Sequence, residues 1–233
     1  MPDFYFRGMT NANKSRRIMA GISLMLAPVA LLLGMIIDPT PQGGQTEGLA
    51  YAAHPEAVGV SATLLHYCWV LLVPGVIGLL HLVRERGRVL ANIAGTIAVI
   101  GMINLSALML VDFFESAAYR ALPADQAQAL IDAAGTPAVV FGWQLPGMFG
   151  SLFGLVLVGL AVARARVAGW WFPIGIVLGL ALFVFGAQSG TLLLGLAGPV
   201  ILVITFGAMG LAMIRMNDDE IATTPAPSAV LAA

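Results

Sequence analysis

The chain is a series of long apolar runs separated by short polar breaks. Ile18 to Ile37 is an apolar stretch of 20 residues, closed by Asp38-Pro39-Thr40-Pro41. A helix rising 1.5 Å per residue needs about that length to cross roughly 30 Å of hydrocarbon. The pattern recurs down the chain and predicts an all-α polytopic membrane fold. Six transmembrane helices are expected at about 18–37, 57–83, 89–115, 138–163, 169–189 and 192–213. Pro74-Gly75 interrupts the second run and Pro146-Gly147 the fourth. Both pairs predict kinks, because proline removes a backbone donor and crowds the carbonyl four residues back. Within a bundle, neighbouring helices satisfy the carbonyl so freed.

The breaks have their own character. Residues 38–56 are rich in Gly, Pro and Gln and predict an irregular surface loop. Over residues 123–134, Ala129, Leu130 and Ala133 alternate with Asp125, Gln126, Gln128 and Asp132 after Pro123. That pattern predicts a short amphipathic helix lying on the membrane surface. Trp170-Trp171-Phe172 suits a membrane–water boundary. Residues 1–17 are polar, and the Ala/Pro/Ser/Thr-rich tail 216–233 is expected to be disordered. The first apolar run exceeds the roughly 7–15 residues of a signal-peptide core. The nearest small-x-small site, Ala50-Tyr51-Ala52, lies well beyond it, so a retained anchor is expected. Glycines 147, 150, 154 and 159, with 175, 179 and 186, predict close helix packing.

Composition sharpens this picture. Hydrophobic residues make up 59% of the chain and charged residues only 10%. A soluble domain carries roughly 25% charged residues, so this chain must turn an apolar surface outward to lipid. A net charge of −1 conceals a strong positional bias. Arg7, Lys14, Arg16, Arg17, Arg84, Arg86, Arg88, Arg164, Arg166 and Arg215 all fall on one side of the expected layout, and only Arg120 on the other. Such bias sets orientation and predicts a plasma-membrane protein with both termini cytoplasmic. The lone Cys68 excludes an intramolecular disulfide and any multi-cysteine metal site. The expected surroundings are the lipid bilayer, with another membrane protein as the remaining partner class; nothing suggests nucleic acid.

Several short motifs stand at the breaks: Val73-Pro74-Gly75, Arg84, Gly87-Arg88-Val89-Leu90-Ala91 with Gly95, Arg164-Ala165-Arg166, and Trp170 with Pro173 and Gly175. With these the chain resembles the uncharacterised six-helix integral membrane proteins of actinobacteria. The resemblance implies fold and membrane location, and no activity.

The candidate chemistry centres on the third span. An ionisable side chain in or near hydrocarbon is costly and therefore points to function. At about 100° per residue, Glu115 lies roughly 20° and Asp112 roughly 80° around the helix from Asn104, which makes a polar stripe. Both acids fall near the end of the expected helix, where its dipole disfavours negative charge by about 0.3–1 kcal/mol. Compensation would come from a cation, Arg120, His54 or His66. By depth His66 is level with residue 106, which predicts a His66–Asn104 hydrogen bond with Asp112 and Glu115 above it. Gln144 would project into the same cavity. The bland alternative is that both acids reach water past the helix end and His66 only helps the helices pack. The candidate ligand or proton site is thus His66, Asn104, Asp112, Glu115 and Gln144.

Other chemistries find less support. His66 and His81 share one helix at a spacing like that of haem-ligating histidines in membrane b-type cytochromes. With only 3 histidines, the third being His54, a two-haem site is excluded; any other cofactor is left open. His54, Glu56, His66, Asp112 and Glu115 have metal-binding side chains but no recognised spacing, so no metal site is assigned. Ser106 lies about 200° from Asn104, off the stripe. Three readings remain. The first is a small permease or membrane-partner-binding subunit with a polar site in the outer half. The second is a membrane enzyme or redox or metal subunit using His66, Asp112 and Glu115. The third is a scaffold. The lack of a catalytic signature leans away from an enzyme.

Overall fold

A computed structural model describes residues 3–39, 46–83, 86–189 and 192–216. The helices are α1 (Asp3–Ile37), α2 (Glu47–Ala53), α3 (Pro55–Leu80), α4 (Arg88–Leu108), α5 (Val111–Ala121) and α6 (Ala124–Ala134). A short α7 (Pro137–Val139) leads through a widened turn at Val140–Gln144 into α8 (Leu145–Arg164), followed by α9 (Trp171–Ser189) and α10 (Leu192–Arg215). Among the described residues there is no strand. The tail beyond residue 216, residues 40–45 of the expected loop and Arg84-Glu85 of the expected turn lie outside the described residues.

Five segments are long and apolar enough to cross a membrane: Asn13–Ile37, Pro55–Leu80, Arg88–Ala121, Pro137–Arg164 and Leu193–Arg215. The apolar helix Trp171–Gly186, within the sixth expected span, is shorter. The long helices pack in a ring. α1 lies against α3 and α10, α4 against α8, and α9 against α10, while the α3–α4 and α8–α9 seams are looser. Leu24, Leu79, Met102, Leu155, Phe172 and Phe206 are fully buried at its centre. Large apolar side chains such as Met19, Phe153, Ile174 and Ile204 point outward. An apolar exterior around an apolar core is what a lipid solvent selects, since water would not tolerate that surface.

Small residues set the closest seam. On α4–α8, a Cβ on Gly101 would fall on the backbone of Gly150 and Ser151, and one on Gly154 would fall on Ala98. Backbones can approach this closely only where a side chain is missing on the facing helix. The ends of the ring differ in charge. Arg17 donates from Nη2 to the Met216 carbonyl at 2.6 Å, joining the start of α1 to the end of α10. Gly87, with φ of 91°, sits against Ala161 and Arg164 at the end of α8. Arg17, Arg86, Arg88, Arg164 and Arg215 therefore gather at one end, and Asp38, Asp112 and Glu115 lie at the other.

Three local features differ from the expected layout. The third helix does not run unbroken to Glu115. At Met109-Leu110 the bonds tighten, with Leu110 N–H to Ala107 O at 3.2 Å and Phe113 N–H to Leu110 O at 3.3 Å. This tight turn separates α4, which packs on α8, from α5, which packs on α2 and α3. Secondly, the loop expected over 38–56 contains a helix, α2. Thirdly, the break at Pro146-Gly147 is a widening of the helix. Pro146 cannot donate to the Gly142 carbonyl, and the chain closes instead by Leu145 N–H to Val140 O. The expected amphipathic segment is helical as α6, exposed except at buried Ala127 and half-buried Ile131.

Candidate functional site

The acidic end is organised by α2. Its Glu47 and Tyr51 are one turn apart, and the Tyr51 hydroxyl donates to Glu47 Oε1 at 2.9 Å. Tyr51 is buried, and its backbone carbonyl accepts from Ser116 Oγ on α5 at 2.9 Å. Gly48 lets the Tyr119 ring of α5 lie directly on α2, since a Cβ there would occupy the ring's position. Tyr119 in turn donates to Gln128 Oε1 at 2.6 Å, and Gln128 Nε2 to Asp132 Oδ1 at 2.8 Å. α2, α5 and α6 thus form a hydrogen-bonded cap packed against α3 at the acidic end of the ring, its mouth.

Three carboxylates, Asp38, Glu47 and Asp112, lie within electrostatic reach of Tyr51. Asp38 follows α1, within 2.9 Å of Ser61 Oγ, which donates to it from α3. Asp112 is half-buried and lies within electrostatic reach of Asp38, Glu47 and Glu115. Burial first, then the charges of Asp38, Asp112 and Glu47, hold the Tyr51 hydroxyl protonated far above its ordinary range. Burial also pushes the Asp38 carboxyl up to about 6; the Ser61 bond works against this and the Glu47 charge adds to it. The mouth can therefore hold protons on a carboxyl near neutral pH and concentrate cations at its rim.

The Asp38 shift has a measurable consequence. With a folded value near 6 against an unfolded value of about 3.9, the folded chain binds more protons between those limits. Its stabilisation by protonation is complete below about pH 4 and is lost as pH rises through about 6. Asp38→Asn keeps an acceptor for Ser61 and removes the titration. Its melting temperature in detergent should match that of the unaltered protein at pH 4 and exceed it at pH 7.5. A difference independent of pH would show that burial does not control this carboxyl.

The sequence-derived site residues do not converge on one cavity. His66 Nδ1 lies 3.0 Å from the Ser106 carbonyl, not from Asn104. A carbonyl only accepts, so the proton sits on Nδ1. Asn104 faces α8 instead: its Cβ abuts Gly147, and its backbone carbonyl accepts from Trp143 Nε1 at 3.0 Å. Asn104 and Ser106 are two positions apart, about 200° of helix, which turns them to opposite neighbours. Gln144 is half-buried in the widened turn beside Trp143. Asp112 and Glu115 belong to the capped mouth, and Asp112 stands in the first turn of α5, where the helix dipole favours a negative charge. For Asp112, though not for Glu115 in the middle of α5, the break at 109–110 removes the expected conflict with the dipole. His54 and Glu56 are exposed at the start of α3. Among the described residues, no three of His, Cys, Asp and Glu are grouped to hold a metal ion.

Asp38, Glu47 and Tyr51 escaped the sequence reading. A signal for two of them was present, because Glu47 to Ala53 contains helix formers with Glu and Tyr four apart and Thr46 before them. Asp38 carried no such signal; it looked like the polar stop of a span. No protein-family model, curated protein or solved structure matches this chain.

Proposed function

We propose that the chain is a six-span plasma-membrane protein with both termini cytoplasmic, acting as a small permease whose polar site is the capped acidic mouth. The observation that carries this reading is the grouping of Asp38, Glu47 and Asp112 around buried Tyr51, with Glu115 within electrostatic reach of Asp112. Carboxylates held partly out of water exchange protons near neutral pH and attract cations, so a proton or a small cation is the favoured cargo. The widened turn in α8 and the tightened turn after α4 lie near the same end, as broken helices do in transporters. The arginine bias supports the orientation, and α9 supplies the sixth span. The likeness to six-helix actinobacterial membrane proteins belongs to the same proposal. A role as a subunit that binds another membrane protein rests on the same mouth and cap. An enzyme built on His66, Asp112 and Glu115 is disfavoured, because His66 is engaged with Ser106 two helices' turns below the mouth.

The test uses the full chain in phosphatidylcholine vesicles containing pyranine, with a pH step imposed outside. Proton flux should exceed that of empty vesicles and fall to that baseline in the double variant Asp112→Asn, Glu115→Gln. Flux that persists in the double variant would remove these carboxylates from the pathway. Flux no greater than in empty vesicles would overturn proton transport.

A further inference from the structure

The α3–α4 seam is looser than the α1–α3 and α4–α8 seams beside it. At the arginine-bearing end it opens into a groove of about 850 Å³. The walls of this groove change character along their length. Arg88, His81 and Asn92 stand at the polar end, Thr96 lies one turn further, and Val99 and Ile100 line the far end. From Arg88 to Ile100 the groove extends roughly 18 Å at 1.5 Å per residue. One leaflet of a bilayer has a hydrocarbon depth of about 15 Å. A smaller apolar groove of about 370 Å³, lined by Val70, Pro74, Met102 and Ile103, continues the same seam.

We propose that this groove is a binding site for one anionic phospholipid, with its phosphate on Arg88 and one acyl chain laid along α4 toward Ile100. The charge pattern selects the headgroup. Arg88 is the arginine that lines the groove, with His81 opposite, while Arg86 and the Arg164 stem stand near the same turn outside its lining. A guanidinium pairs with phosphate through parallel hydrogen bonds. A choline or ethanolamine cation would be brought close to Arg88 and repelled, whereas a glycerol headgroup would not. His81 commits Nδ1 to the Ile77 carbonyl at 2.7 Å, which leaves Nε2 to meet a headgroup hydroxyl. Thr96 spends its hydroxyl on the Asn92 carbonyl at 2.9 Å and so turns its methyl toward the chain. The length, the polar-to-apolar gradient and the charge all match one amphiphile in one leaflet. The site is independent of the transport reading, since it lies at the opposite end of the ring.

Native mass spectrometry of the full chain in detergent, offered equal phosphatidylglycerol and phosphatidylcholine, tests the proposal. The first bound lipid should favour phosphatidylglycerol by about fivefold, as a single membrane-facing arginine contributes. Arg88→Gln should bring the ratio close to one. Thr96→Trp, at an exposed position, fills the groove but keeps every arginine, and should abolish the bound lipid. Excess inorganic phosphate, which has no chain, should leave the lipid in place. No preference in the unaltered protein, or a preference that survives Thr96→Trp, would overturn the proposal. Displacement by phosphate would also overturn it, by showing a headgroup-only anion site.

Discussion

Gly101→Val should destabilise the bundle by about 3 kcal/mol or more, at or beyond the upper end of ordinary overpacking. The atoms that a side chain at this position would meet are backbone atoms of Gly150 and Ser151, so no rotamer change makes room. α4 and α8 would have to separate along their length, taking with them the contact of Gly154 with Ala98 and the Trp143–Asn104 bond. The matched control is Gly207→Ala on α10, where a Cβ would find nothing within 4 Å. There the gain in helix propensity should stabilise by up to about 1 kcal/mol. Thermal denaturation in detergent separates the two. If Gly101→Val melts with the unaltered protein, the α4–α8 seam is not held by backbone contact.

The second large effect is expected at the cap. Gly48→Val should displace the Tyr119 ring and lift α2 from α5, at a cost of about 2 kcal/mol. Because Tyr119 is buried and tied to Gln128, the ring has no empty volume into which to swing. Loss of the Ser116–Tyr51 bond should follow. Amide exchange over residues 46–53 should then quicken by roughly 30-fold, as about 2 kcal/mol of local opening requires. Asp38 and Asp112 should become more reactive to a water-soluble carbodiimide. The melting temperature should change little, because the seams of the ring do not pass through α2. Unchanged exchange would mean that α2 is anchored by something other than this contact.

The two positions differ in how visible they are along the chain. Gly101 is not itself among the glycines expected to mark close packing, but its partner Gly150 is, because a glycine in a long apolar run signals close approach between helices. Gly48 stands among Gly, Pro and Gln residues, where a glycine signals a turn. The composition of residues 38–46 outweighed the helical signal of Glu47–Ala53, and the cap went unseen. The acids show the same contrast. Asp112 and Glu115 are visible because they interrupt an apolar run, whereas Asp38 and Glu47 stand in polar surroundings that give them no such contrast. Their meeting around Tyr51 depends on α2 folding back over the mouth, a contact between segments far apart in sequence.

The break at Met109-Leu110 had no marker at all. Neither proline nor glycine stands there, and both residues keep right-handed helical dihedral angles. Only the tightened hydrogen bonds, and the change of packing partners from α8 to α2 and α3, reveal it. That break converted an unfavourable placement of Asp112 against a helix end into a favourable one at a helix start.

The sequence by itself determined that the chain is helical and turns an apolar surface outward, because run length, low charge and the clustering of arginines are local or additive properties. It also showed that Pro146 would disturb a helix and where glycine would let backbones touch, whereas α3 runs unbroken through Pro74. Only the tertiary structure decided which polar groups meet. His66 goes to Ser106, Asn104 to Trp143, and Asp112 to the cap, and each choice follows from the rotation of a helix about its axis and the residue at which it breaks. A turn of 100° per residue makes those outcomes sensitive to a single position, and packing against neighbouring helices selects among rotations that the apolar pattern alone leaves nearly equivalent.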